Sequence, residues 1–347
     1  MANKPENSLE SVERVFSKPF NGKILNRDNN WKLSIAAMQK ELANGLSGNR
    51  ILLEECPVCE SSESSHWATV FDYEYQICTN CSHIRCSTPA AHVDIGRLYD
   101  DTGETPKSVQ SVVYTDPSII DERIRSIALP KVEFVTQRLD KKGKWIDIGC
   151  GIGDLVIAAS VLGWDSWGVE SDPVELRTAI EKGARVHKAF LTSDTIGEFV
   201  IDASVISFVN VLEHIPEPIK FLKSAVDASS EGTIVVIEVP RHPSLSSLSN
   251  KMFPDHAHRH IYPPDHLHIF SEESMSLMLK ECGLCPKTVW CFGQDIAELF
   301  SSICIHWNIE GDDIYLKIAA ATNELQSVID RHFLSDTMFV IAQKGKQ

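Results

Sequence analysis

The stretch "KWIDIGCGIGDL", residues 144–155, decides the fold. An apolar run that contains one carboxylate, Asp147, leads into three glycines at alternate positions, Gly149, Gly151 and Gly153. A glycine turn between a strand and a helix lets backbone N–H groups approach a ligand closely. A dinucleotide site would have the spacing GxGxxG. Here the spacing is GxGxG, and a second carboxylate, Asp154, opens the helix.

Two carboxylates beside the turn suit an ammonium or a sulfonium better than a diphosphate. The ligand that we infer is S-adenosylmethionine, with its amino-acid portion over the turn and Asp147 reaching the ammonium directly or through water. Glu170 follows at the end of the next strand, where a carboxylate can accept both ribose hydroxyls. Asp172 is a fallback for that role and a candidate helix N-cap. A glycine turn alone leaves a nicotinamide or flavin enzyme of the same fold open.

Strand-like and helical segments alternate from about residue 126 onward. The strand-like runs are KWIDIG, SWGVE, ARVHKAF, DASVISFV, TIVVIEVP, TVWCFGQD and TMFVIAQK. Short β-rich runs between amphipathic helices predict an α/β fold with a doubly wound, mainly parallel sheet. Ligands bind such sheets at the carboxyl ends of the strands, where the strand order reverses.

Length and charge limit the possible classes of protein. With 347 residues and 43% hydrophobic composition, the chain can form one large core and a smaller module. A formal charge of −15 and a pI near 5.3 disfavour nucleic acid as a partner. The start of the chain lacks a signal-peptide pattern, and the longest nearly apolar run, Leu155–Trp164, is too short to cross a bilayer. We therefore expect a soluble, cytoplasmic protein.

Four of the ten cysteines form two CxxC pairs separated by 18 residues: Cys56, Cys59, Cys78 and Cys81. Two such turns on neighbouring hairpins can complete a closed tetrahedral zinc site, so we predict a structural zinc ribbon. The intervening run ATVFDYEYQI alternates like a strand. Reduced core cysteines are the alternative. The pair Cys282–Cys285 has no partner pair and is typical of a packed helix end.

The chain is expected to have four parts. They are an N-terminal helical segment (1–50), the zinc ribbon (51–90), a linker and lid region (91–125) and the α/β core (126–347). In the first part, apolar residues recur at helical spacing between Trp31 and Leu42.

The sequence resembles the class I S-adenosylmethionine-dependent methyltransferases over residues 130–290. WIDIGCGIGDL matches their first motif, GVE their second strand, NVLEHIPEP the segment after the fourth strand and VIEVP the fifth. The segments CSHIRCSTPAAHVDIGRLYDD and PPDHLHIFSEESMSLMLKECGL are similar to a bacterial group that has a cysteine zinc ribbon before this core. The resemblance implies a Rossmann-like sheet of seven strands with the last one antiparallel. It also implies cofactor contacts from Phe190 or Leu191 at the adenine and from Asn210 and Val211 beside the methionine and adenine.

Residues 255–270, DHAHRHIYPPDHLHIF, contain five of the thirteen histidines. Methyl transfer needs in-line placement of the acceptor and a base when the acceptor carries a proton, a role that suits histidine. Resemblance to sugar carbon-methyltransferases implies that Asp265 and His266 form an acid–histidine pair preceded by a tyrosine. Pro263 occupies that tyrosine position, and Tyr262 is displaced by one. His214 is a further candidate for contact with the acceptor.

The alternating His256, His258 and His260 suit either a loop that lines the acceptor pocket or a second metal site.

Three functions stay open. The first is methylation of a small molecule, such as a nucleotide-linked sugar or a secondary metabolite, at an O, N or C atom. The second is RNA methylation with the ribbon as an RNA clamp, which is disfavoured because residues 51–86 contain Arg85 as their one Lys or Arg. The third is a non-catalytic protein whose ribbon binds a partner while the core senses the cofactor. The oligomeric state is left open.

Overall fold

The computed structural model describes residues 8–17, 29–46, 48, 50–91, 117–256, 259–309, 317–318 and 320–345. Most of the predicted linker and lid region (92–116) and His258 lie outside these ranges. The chain forms two compact units. The first unit comprises Met1–Ala91, Val239–Ser276 and Thr288–Phe339, and the second comprises His92–Glu238, Leu277–Lys287 and Val340–Gln347.

The strands are β1 (Glu13–Phe16), β2 (Ser64–Val70), β3 (Tyr73–Cys78), β4 (Ile84–Cys86), β5 (Lys144–Ile148), β6 (Asp165–Glu170), β7 (Val186–Lys188), β8 (Val205–Val209), β9 (Ile234–Pro240), β10 (His268–Ile269), β11 (Leu284–Phe292) and β12 (Thr337–Lys344). The helices are α1 (Asn29–Gly45), α2 (Pro117–Arg123), α3 (Leu129–Thr136), α4 (Asp154–Val161), α5 (Pro173–Glu181), α6 (Pro218–Ala228), α7 (Leu245–Met252), α8 (Glu272–Glu281), α9 (Asp295–Trp307) and α10 (Thr322–Arg331). A π-helix, Ile124–Ala128, separates α2 from α3.

The larger sheet has the strand order β1-β11-β12-β9-β8-β5-β6-β7. β5 pairs in parallel with β6 on one side and with β8 on the other, and the pairs β6–β7 and β8–β9 are also parallel. The strand order therefore reverses at β5, which is the switch point where doubly wound sheets bind ligands. The predicted Rossmann-like α/β fold is confirmed.

The last strand runs antiparallel to its neighbour β9, as predicted. At one end, the N–H of Lys344 donates to the carbonyl of Thr233, just before β9 begins. At the other end, the N–H of Arg241 donates to the carbonyl of Asp336, just before β12 begins. The start of β9 thus lies beside the end of β12, and the reverse holds at the other end.

An eighth strand, β1, was missed in the sequence. It pairs in parallel with β11, with Glu13 opposite Thr288 and Phe16 opposite Cys291. The predicted helix in the N-terminal segment is present as α1. β1 gave no clear signal because it has only four residues and two of them are charged.

The smaller sheet belongs to the first unit and has the antiparallel order β10-β4-β3-β2. The run ATVFDYEYQI was expected to form one strand, but it forms a hairpin of β2 and β3. Its two turn residues, Phe71 and Asp72, both have positive φ (46° and 65°), which fits the twist of a two-residue hairpin loop. Among the helices in the described ranges, none has the length and apolar character needed to cross a membrane.

Candidate cofactor site, acceptor histidines and metal centre

The glycine turn follows β5 directly and ends where α4 begins. All three predicted glycines have positive φ, at 62°, 53° and 75° along the chain. A Cβ on Gly149 would lie 2.9 Å from Cγ2 of Val211, and one on Gly153 would lie 2.6 Å from Cβ of Ala184. The left-handed backbone and these close approaches therefore exclude a side chain at both positions.

Asp147 lies beneath the turn, near the end of β5, and is almost fully buried. Its Oδ1 accepts a hydrogen bond from Ser207 Oγ at 2.6 Å, and Ser207 in turn accepts one from the indole N–H of Trp145 at 2.8 Å. Burial raises the pKa of Asp147 to about 8, against the lowering effect of the Ser207 hydrogen bond. In the ligand-free protein at neutral pH, this carboxyl group therefore carries a proton.

Glu170 links the end of β6 to the glycine turn. One carboxylate oxygen accepts the N–H of Gly151 at 2.8 Å, and the other accepts the N–H groups of Ser171 (2.6 Å) and Asp172 (2.8 Å). Burial raises the pKa of Glu170, while these backbone hydrogen bonds lower it. Asp172 caps α5 by accepting the N–H groups of Val174 and Glu175, so the N-cap interpretation holds.

The sequence missed a cation beside Asp154. Arg123, the last residue of α2, donates to Asp154 Oδ2 at 2.9 Å, and both side chains are mostly buried. The predicted group of negative charges around the turn is therefore largely neutralised in the ligand-free protein, because Asp154 has a counter-ion and Asp147 holds a proton.

The other predicted cofactor residues follow the neighbouring strands of the second unit. Phe190 comes after β7 with 59% of its surface exposed, and Leu191 is half-buried. Asn210 follows β8 in the left-handed region (φ 54°), and its N–H donates to the carbonyl of Glu238. Val211 contacts the glycine turn, as described above. The carboxyl ends of parallel strands lie at the same edge of a sheet, so the residues that follow these strands lie at that edge too.

Residues 120–286 match the sequence model of the family described as "Methyltransferase domain". This segment contains the glycine turn and every residue of the cofactor site described above. Residues 120–286 are therefore a methyltransferase domain, and the chain is an enzyme. The matched segment begins after the four paired cysteines, so membership of the zinc-ribbon group stays a prediction.

Several solved methyltransferase structures are similar to the chain at a distance. One, from Archaeoglobus fulgidus, has 18% identity, covers 66% of this chain and 100% of its own, and gives a TM-score of 0.42. Another is magnesium protoporphyrin IX methyltransferase from Synechocystis PCC 6803 with bound SAH (10% identity, 72% and 92% coverage, TM-score 0.42). None of the curated proteins compared with the chain matches it. The assignment therefore depends on the family match rather than on these structures.

In the methyltransferase, His266 is held in one tautomer within the first unit. Its Nδ1 lies 3.0 Å from the carbonyl oxygen of His260. A carbonyl only accepts, so Nδ1 carries the proton and Nε2 carries the lone pair of the neutral ring. The ring lies 4.2 Å from that of Tyr262, and its own backbone carbonyl accepts from the hydroxyl of Tyr75 at 2.7 Å.

Asp265 does not take the position expected of a carboxylate that orients His266. Asp265 is fully buried, but the Nδ1 position that an orienting carboxylate would take on His266 is occupied by the His260 carbonyl. The fixed orientation of His266 thus comes from the backbone. His214 is half-buried at the end of the 3₁₀ helix Leu212–His214, in the second unit.

His260 belongs to an ionic network rather than to a second metal site. Its Nε2 lies 2.6 Å from a guanidinium nitrogen of Arg259 and 3.4 Å from a carboxylate oxygen of Asp336. A neighbouring guanidinium disfavours a metal cation at that nitrogen. In the described part of the chain, no group of three potential metal ligands includes His256 or His260.

The four paired cysteines converge on one point in the first unit. Cys56 Sγ lies 3.7 Å from Cys81 Sγ, Cys59 Sγ lies 3.5 Å from Cys78 Sγ, and all four sulfurs lie within 4.8 Å of one another.

The two CxxC turns also have the same backbone conformation. The carbonyl of Cys56 accepts the N–H of Glu60, and the carbonyl of Cys78 accepts the N–H of Ser82. Glu60 and Ser82 both have positive φ, 59° and 55°. Four thiols arranged by two matching turns fit a tetrahedral zinc ion.

Proposed function

We propose that this methyltransferase transfers the methyl group of S-adenosylmethionine to an O, N or C atom of a small molecule, such as a nucleotide-linked sugar or a secondary metabolite. The observation that carries the cofactor assignment is the hydrogen bond between Gly151 N–H and Glu170 (2.8 Å), with Asp147 beneath the same turn. These groups supply a close backbone surface and two separate carboxyl groups at adjacent strand ends.

Most parts of the cofactor have a matching group in the second unit. The turn carries the amino-acid portion, Asp147 binds the ammonium, and Glu170 accepts the ribose hydroxyls. Phe190 and Leu191 flank the adenine, since the exposed face of Phe190 can stack on a base. Asn210 and Val211 border the pocket. The bound cofactor supplies an electrophilic methyl carbon.

His266 acts as the base toward the acceptor. Its Nε2 has the lone pair because Nδ1 is committed to the His260 carbonyl. It removes the acceptor's proton as the acceptor atom attacks, and Tyr262 packs against the ring and limits its rotation.

The four cysteines would hold one zinc ion as a structural element. With four thiolate ligands, such an ion would stabilise the ribbon and would have no direct part in methyl transfer. The residues that would hold it come from the two matching turns around Cys56 and Cys78.

RNA is the less favoured acceptor class. Arg85, the one Lys or Arg of residues 51–86, is fully buried, and its guanidinium donates to the carbonyl of Glu54 and the amide oxygen of Gln76. A buried cation that is already hydrogen-bonded does not offer its charge to a phosphate backbone.

The acceptor is best identified with methyl-labelled S-adenosylmethionine and a panel of nucleotide sugars, phenols and amines, followed by mass spectrometry. A labelled product that gains one methyl group identifies the acceptor class. Labelling of RNA at low salt, with no small molecule labelled, would contradict the proposal. Binding of S-adenosylhomocysteine with no transfer to any acceptor would favour the cofactor-sensing alternative.

A further inference from the structure

Lys131 forms a buried ion pair that the proposed mechanism does not use. Its Nζ lies 2.8 Å and 2.7 Å from the two carboxylate oxygens of Glu238, and the exposed fractions of the two residues are 5% and 4%. Taking two charges out of water is costly, so a buried pair of this kind contributes little net stability. The stability of the fold therefore does not explain why this ion pair is buried.

The pair lies at the carboxyl ends of the central strands of the second unit. Glu238 is opposite Val209, the last residue of β8, and its carbonyl accepts the N–H of Asn210. The positive charge of Lys131 also lowers the pKa of Asp147, at the end of β5. Lys131 is thus paired with a carboxylate on β9, and its charge also acts on Asp147 on the other side of β8.

A local irregularity in the helix aligns Lys131 with the site. Lys131 comes eight residues after Arg123, and the five-residue π-helix Ile124–Ala128 lies between them. In an uninterrupted α-helix, eight residues turn through about 800°, which leaves the two side chains roughly 80° apart. The wider π turn takes up more residues per turn and reduces this offset. Both cations then pair with carboxylates of the site, Arg123 with Asp154 and Lys131 with Glu238.

The amino-acid end of S-adenosylmethionine is a zwitterion. Asp147 accounts for its ammonium, but a carboxylate placed among Asp147, Glu170 and Glu238 would be repelled unless a cation is present. Among the described residues of the second unit, Lys131 is the most deeply buried Lys or Arg. We propose that Lys131 binds the carboxylate of the cofactor's amino-acid portion, and that Glu238 holds the lysine in position. This inference depends on the proposed function.

The test compares two ligands by titration calorimetry. S-adenosylhomocysteine has both the ammonium and the carboxylate, whereas its decarboxylated analogue keeps only the amine. The variant is Lys131→Met/Glu238→Gln, because removing the lysine alone would leave Glu238 buried without a counter-ion and could prevent folding. We expect it to bind S-adenosylhomocysteine about 10-fold to 100-fold more weakly than the wild type. Its affinity for the decarboxylated analogue should change less than about threefold, which is near the scatter of such measurements.

A matched control is Lys182→Met, which removes a lysine of the same unit that pairs with the exposed Asp121. Both ligands should bind this variant as they bind the wild type. An equal loss for both ligands in the double variant would assign Lys131 to folding or general packing and overturn the inference, and so would unchanged binding of both. If the wild type binds neither ligand, the proposed function itself fails, and with it this role of Lys131.

Discussion

Replacing Asp147 with Asn tests the electrostatics of the cofactor site directly. The amide oxygen can still accept the hydrogen bond from Ser207, so the change removes the titration and little else. Burial raises the pKa of Asp147 from 3.8 to about 8 in the folded protein. Between these values the folded chain keeps a proton that the unfolded chain releases. The wild type is therefore most stable below pH 3.8, with respect to this group, and loses stability as the pH rises toward 8.

The magnitude follows from the same two values. Each pH unit inside the window lowers the free energy of unfolding of the wild type by about 1.4 kcal/mol. The difference between Asp147→Asn and the wild type should therefore grow by roughly 3 kcal/mol between pH 5 and pH 7, in favour of the variant. Urea unfolding of both proteins at pH 5, 6 and 7 measures it. If the two proteins have parallel stability profiles, the burial argument for Asp147 is wrong.

The pH dependence of cofactor binding should have the opposite sign to that of stability, and it should also come from Asp147. An ammonium beside Asp147 favours the carboxylate, so binding must release the proton and becomes stronger as the pH rises from 6 to 7.5, by up to about tenfold per pH unit. Asp147→Asn should bind S-adenosylhomocysteine weakly and without this dependence. Asp154→Asn is the control, because Asp154 already has Arg123 as its counter-ion, and it should keep the pH dependence of the wild type.

Three further predictions concern the other groups. Metal analysis of the purified protein should return about one zinc per chain, and Cys59→Ser should lower this content; a metal-free wild type would contradict the ribbon. Glu170→Gln replaces one acceptor oxygen with an N–H donor that faces backbone N–H groups, so the affinity for adenosine should fall about tenfold or more. The affinity for 2′,3′-dideoxyadenosine, which lacks the ribose hydroxyls, should change little. Equal losses of affinity for the two ligands would exclude a ribose contact. His266→Ala should reduce the turnover rate ~10²-fold to 10⁴-fold while the affinity for S-adenosylhomocysteine stays nearly unchanged. His332→Ala, at an exposed histidine, should leave the turnover rate unchanged. Equal rates in the wild type and His266→Ala would exclude His266 as the base.

The parts of the site that could be predicted are those that the chain builds locally. Residues 144–155 contain the strand, the turn and the start of the helix, so the pattern of glycines and Asp147 is readable within one short window. The same holds for the two CxxC turns, whose geometry depends on neighbours within four residues. Glu170 could be placed because it ends the next strand, and the carboxyl ends of parallel strands lie at one edge of a sheet.

The missed features depend on contacts between distant residues. Arg123 pairs with a residue 31 positions away, and Lys131 with one 107 positions away. A helical pattern over this region gives the wrong faces, because the π-helix at Ile124–Ala128 shifts the register of the following residues. β1 was missed for a related reason, since its partner β11 follows more than 260 residues later in the chain.

The carboxylates in the sequence predict a negatively charged site, but three carboxyl groups of the folded site are neutralised before any ligand binds. Asp147 is protonated, Asp154 is paired with Arg123, and Glu238 is paired with Lys131. A site with free negative charge would attract any cation, including simple metal ions. A site in which most carboxyl groups already have a proton or a counter-ion favours a ligand with charges of both signs over a simple cation. Under our proposals, a zwitterion next to a sulfonium is such a ligand: its ammonium would displace the proton of Asp147, and its carboxylate would bind Lys131 beside Glu238. Selectivity for the methyl donor would then come from this paired exchange rather than from the sign of the local charge.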